Sequence, residues 1–143
     1  MEIGSSDLLT AAAVIVGFGI TVIMFRVQRE IQVQEKGEPN WLAWSDYLIL
    51  GSILLTIGLA ILPLLMLPRV STLTRSLAAS ACVAAFILQA GYVFGILAHY
   101  RIEIGRKRKG PREKGEPAER LIVKLSAAFA GIGFAIVMWL HCH

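Results

Sequence analysis

Charge is missing from most of this chain. Charged residues occupy 17% of its 143 positions, against about 25% in soluble globular proteins, and they are bunched so tightly that long stretches carry none. Cysteine is almost absent. Cys82 lies inside an apolar run and Cys142 near the C-terminus, which excludes a disulfide framework and a Cys-x-x-Cys redox pair. Phosphate-loop, dinucleotide and serine-hydrolase signatures are missing. No acid interrupts the middle of an apolar run, where a proton-coupled exporter needs one. Small four-span drug exporters rely on such a Glu, and this chain departs from their pattern: Asp7, Asp46 and every Glu sit at or beyond the run ends. His99 ends one run and His141 and His143 follow the far end of another, so they cannot share a haem or a metal ion. The sequence therefore calls for no cofactor, no metal and no catalytic residue, and the expectation is a protein that is not an enzyme.

What remains is hydrocarbon. Apolar residues make up 56% of the chain, and the mean hydropathy is +0.66. Four runs stand out, Leu8 to Phe25, Tyr47 to Pro68, Ser76 to Tyr100 and Leu121 to Leu140, the last broken only by Lys124. Crossing about 30 Å of hydrocarbon takes roughly 20 apolar residues in a helix. Lipid cannot satisfy a backbone N–H or C=O, so spans must be helices or closed barrels. These runs do not alternate as barrel strands do. The expected fold is all-α: one polytopic membrane domain, an antiparallel bundle of four transmembrane helices at about 8–26, 46–68, 75–99 and 121–140, with loops at 27–45 and 100–120.

Orientation follows from Lys and Arg. The first and third loops, with Lys124, hold 12 of them, and the second loop holds only Arg69 and Arg75. Basic loops stay cytoplasmic, so both termini are expected outside a cell (inner or plasma) membrane. The N-terminus is acidic rather than basic, and the first run is read as a retained span, not a cleaved signal. Glu2 and the closing His-Cys-His match no lipidation box.

Finer features follow. Val27 and Ile31 carry helical spacing beyond the first run, so that helix should continue to about Glu35 and stop at Lys36-Gly37. Arg101 to Gly105 suggests a shorter overhang on the third helix. Pro63 should kink the second helix, Pro68 should end it, and Ser71, Thr72 or Thr74 should cap the third. Trp41, Trp44 and Trp139 fall where aromatic rings anchor to the interface.

The string Glu-Lys-Gly-Glu-Pro occurs at Glu35–Pro39 and again at Glu113–Pro117, and Phe18-Gly19-Ile20 matches Phe94-Gly95-Ile96. Two duplicated helical hairpins, forming a parallel repeat, account for this. Convergent turn chemistry is the alternative account of the shared string, since Gly ends a helix and Pro restarts one.

In lipid, helices associate through small residues. Gly91 and Gly95 continue a face through Ser80, Ala84, Leu88 and Ala98. Thr10, Ala13, Gly17 and Thr21 form another, as do Ala127, Gly131 and Ala135, while Gly51 and Gly58 stand two turns apart. Gly17, Gly51, Gly58, Gly91, Gly95 and Gly131 are the expected packing positions. Gln89 is the one strongly polar residue deep in a run, roughly opposite the Gly91/Gly95 face, and a helix–helix hydrogen bond is expected of it. Arg106, Lys107, Arg108, Lys109, Arg112 and Lys114 form the densest basic patch, suited to anionic lipid or a protein partner. No base-stacking aromatics interleave it, so nucleic acid is not an expected partner. The expected function is that of a non-enzymatic accessory or scaffolding subunit acting through helix packing and the basic loop, with the bilayer and a membrane protein or a second copy as partners. The alternative is a small homo-oligomeric transporter or channel.

Overall fold

Apolar side chains on all sides of a helix leave only lipid or other helices as neighbours, and four such helices form. A computed structural model describes residues 4–37, 43–67, 69–100 and 117–142. The helices are α1 (Ser5–Glu35), α2 (Asp46–Met66), α3 (Thr72–Tyr100) and α4 (Pro117–Cys142). All four are long and apolar enough to cross a membrane. The chain is a multi-pass membrane protein, folded as an antiparallel helix bundle with no strand among the described residues. One end of the bundle carries the connections from α1 to α2 and from α3 to α4 and is called the loop end below.

Each boundary has a local cause. Asp7 lies in the first turn of α1, where a negative charge meets the positive end of the helix dipole. The helix has 31 residues, about 46 Å at 1.5 Å each, so it overruns the hydrocarbon as the Val27/Ile31 spacing predicts. It stops at Glu35: the Lys36 and Gly37 amides donate back to Val33 and Gln34 carbonyls at 3.1 and 2.9 Å. Gly37 takes φ +77°, a left-handed turn that costs a Cβ-bearing residue about 1–2 kcal/mol. Asp46 reaches back from the first turn of α2 to accept the Ala43 amide at 3.0 Å, as in a capping box. Ser71 caps α3 by accepting the Thr74 amide at 3.1 Å.

Pro63 acts one turn earlier than a simple kink. Residues Ile57–Ile61 form a widened π turn, and the Leu62 amide donates five residues back, to Ile57. Proline has no N–H and its ring crowds the carbonyl four residues before it. An extra residue in the preceding turn relieves that crowding without breaking the helix. Pro68, Trp41 and the overhang expected after Arg101 lie outside the described residues.

α3 is the hub. It packs against all three other helices, whereas α1 and α4 barely meet. Half of the α3 span is buried, against 11% of the α4 span, so α4 hangs mainly on α3. The core near the termini is built from Leu8, Ala12 and Ile15 of α1 against Ala78, Ala81 and Ala85 of α3. Alanines let the backbones approach where lipid offers no hydrophobic drive for association. A second cluster, Leu48, Ile49 and Tyr92, lies nearer the loop end.

Candidate functional site

The small-residue faces divide into inward and outward sets. Gly91 and Gly95 are buried. A Cβ at Gly91 would collide with the Ser126 side chain of α4, and one at Gly95 would come within 2.8 Å of Ser45 Cβ. Gly51 has an ordinary neighbour, Leu88 Cδ1 at 3.9 Å. Gly17, Gly58 and Gly131 meet nothing within 4 Å. These last three therefore do not pack within the chain as their spacing suggests; on α1 and α4 it is Gly19 and Gly133 that meet neighbouring helices instead. At Gly19 a Cβ would meet Ile53 Cγ1 at 2.7 Å, and at Gly133 one would meet Ile87 Cδ1 at 2.7 Å. Ser126, Ala130 and Gly133 share one helical face in sequence, whereas no run of small residues marks Gly19.

Gln89 ties three helices together in mid-span. Its Nε2 donates to the Ile15 carbonyl of α1 at 2.8 Å and to Ser52 Oγ of α2 at 3.2 Å. The Ser52 hydroxyl in turn donates to Ile49 O at 2.8 Å, so it accepts from Gln89 with a free lone pair. An amide carried into hydrocarbon is thus paid by two neighbouring helices.

The larger polar concentration sits at the loop end and was not expected as a site. Arg26 of α1 holds Asp46 side-on, with Nε to Oδ1 at 3.1 Å and Nη2 to Oδ2 at 3.0 Å, and its Nη1 lies 3.6 Å from Glu30. This planar fork is the strong form of an Arg–carboxylate pair. Beside it, His99 Nδ1 of α3 lies 2.9 Å from Glu119 Oε2 of α4. The other carboxylate oxygen accepts both the Ser45 amide and the Ser45 hydroxyl, at 3.0 and 3.2 Å. Arg120, the next residue, places its guanidinium 5.2 Å over the Trp44 ring, a cation–π contact that closes α4 against the start of α2. All four helices therefore meet in one polar layer.

Chemistry limits what this layer can do. Asp46, Glu119 and His99 are 1%, 0% and 2% exposed, so they are closed off from solvent. Ser45, Glu119 and His99 have the residue types of a hydrolase triad, but the carboxylate stands in the middle. A nucleophilic serine needs its hydrogen bond to the imidazole, and here Ser45 bonds the Glu. Among the described residues no three His, Cys, Asp or Glu side chains gather as metal ligands. The arrangement is that of a lock, in which each buried charge has an opposite or hydrogen-bonding partner on another helix.

The two hairpins lock alike. Arg26 with Asp46 and His99 with Glu119 each join a base at the end of one apolar run to an acid at the start of the next, twenty residues on. The pairs are not in register with the shared string: Asp46 stands seven residues after Pro39, Glu119 two after Pro117. A signal for them did exist, since Arg26 and His99 close apolar runs and Asp46 and Glu119 open them.

Open grooves among the described residues include two between helices. One, of about 760 Å³, runs between α3 and α4 along Gly91, Phe94, Phe129 and Gly133. The other, of about 320 Å³, lies between α1 and α3 and includes Gln89. Trp44 and Trp139 are exposed. The basic patch Arg106, Lys107, Arg108, Lys109, Arg112 and Lys114 lies outside the described residues. No family model, curated protein or solved structure gives a significant match to the chain.

Proposed function

We propose that this is a non-enzymatic accessory subunit of a membrane assembly, one that works by packing its outer helices against other membrane proteins while its loop end lies at the cytoplasmic face. The observation that carries this reading is the outward placement of two small-residue faces. Thr10, Ala13, Gly17 and Thr21 on α1 are all exposed, and so are Ala127, Gly131 and Ala135 on α4. They belong to the two helices that barely touch each other, so a partner could be engaged from either flank. The hydroxyls on the α1 face are already spent on their own helix, Thr10 on Ser6 O at 2.9 Å and Thr21 on Gly17 O at 2.8 Å. Such a face is smooth and costs nothing to bury against another backbone.

The basic loop fits the same role as a contact for anionic lipid or for an acidic partner segment. A transporter assembled from several copies would need Gln89 on a wet path; its amide nitrogen is instead engaged by α1 and α2, which favours packing.

Crosslinking in membranes followed by native sizing in mild detergent tests the proposal. The wild-type chain should be captured with a discrete neighbour, and Gly17→Leu or Gly131→Leu should reduce that capture at least fivefold while leaving the fold intact. A monodisperse monomer with no captured neighbour would overturn it.

A further inference from the structure

One polar atom inside the membrane is left unmatched by the packing. Gln89 is only 6% exposed. Its orientation is fixed, because Ile15 O accepts and cannot donate, so the amide nitrogen must face it. Both amide protons are then spent, on Ile15 O and Ser52 Oγ. Among the described residues no donor reaches the amide oxygen, and that oxygen is not sealed in protein. Gln89 forms part of the wall of the 320 Å³ groove, whose remaining lining is Val14, Ile15 and Phe18 of α1 and Phe86, Ala90 and Val93 of α3. Gln89 is its one polar side chain. It stands at the middle of the apolar run Ser76 to Tyr100, a depth where water is scarce and helix amides are already bonded.

We propose that this groove is a binding site for a neutral, lipid-soluble alcohol or phenol, whose hydroxyl donates to the Gln89 amide oxygen while its hydrocarbon body lies between Phe18 and Phe86. The groove is within the size range of small-molecule sites, with apolar walls and one orienting polar atom. A charged headgroup is excluded by walls that offer no counter-charge. A ketone or quinone would set acceptor against acceptor. The mid-span donors that a second copy would bring to this depth are already engaged. Its Gln89 protons are committed, and its intramembrane hydroxyls at Thr10, Thr21 and Ser126 each donate within their own helix.

The test uses a diazirine-bearing dialkylphenol and its O-methyl ether, photolysed with the full chain in phosphatidylcholine vesicles and mapped by peptide mass spectrometry. The phenol should label the segments around Phe18 and Phe86 at least fivefold more than the ether. Two groove-filling variants from different helices, Val14→Trp and Ala90→Phe, should each abolish that excess while the protein elutes as before. Equal labelling by phenol and ether, or a phenol preference that survives both variants, would overturn the proposal, as would capture of a second polypeptide at these positions.

Discussion

A charge carried out of water has to find its partner on another helix, and Arg26 shows the consequence. Its guanidinium is bidentate to Asp46, and Asp46 is buried. Desolvating two ions can cost as much as their attraction returns, so such a pair adds little net stability over an apolar replacement. Breaking it from one side is different, because the survivor stays buried and unpaired. Arg26→Met should therefore destabilise the protein by about 3–5 kcal/mol. Adding Asp46→Asn should restore much of that, since the Asn side-chain oxygen still accepts the Ala43 amide. Equilibrium unfolding of the purified protein in mixed micelles reads both values. A double variant no better than Arg26→Met alone would mean that the carboxylate has another role.

Among the helices, α3 is the one whose two sides are both used. Its glycines make the distinction measurable. Gly91 lies against Ser126, and Gly17 on α1 faces open space. Gly91→Ala should cost about 1–3 kcal/mol, the usual penalty for forcing volume into a packed contact. Gly17→Ala should be neutral or stabilise the monomer by up to about 1 kcal/mol, because alanine is the better helix former. The same unfolding assay compares them. α2 belongs to this scale too. Its widened turn at Ile57–Ile61 lets an apolar helix carry Pro63 without being broken.

For the whole molecule the weak point is α4. It rests on α3 through apolar contacts, supplemented by the hydrogen bonds of Glu119 with His99 and Ser45 and a long one from Ser80 to Met138. Removing the carboxylate should loosen this helix first. Cysteines placed by Ile87→Cys and Gly133→Cys, in a Cys82→Ala, Cys142→Ala background, should crosslink readily. Adding Glu119→Ala should lower the yield severalfold while the α1–α2 hairpin keeps its own Arg26–Asp46 lock. Unchanged crosslinking would show that the apolar seam alone holds α4.

The amino-acid sequence by itself determined the number of helices, their approximate ends and the stop at Gly37, because each depends on local hydropathy or on the conformational freedom of one residue. It also singled out Gln89 and the Gly91/Gly95 face. It did not determine which way each helix turns. Apolar residues surround these helices on all sides, so in lipid the period that orients a soluble helix is lost, and Gly17 and Gly131 could not be told from Gly19 and Gly133. Only the tertiary structure decided that Arg26, Asp46, His99 and Glu119 face one another. Their pairing depends on four helix rotations at once, and water at the end of a span would have served a lone charge equally well.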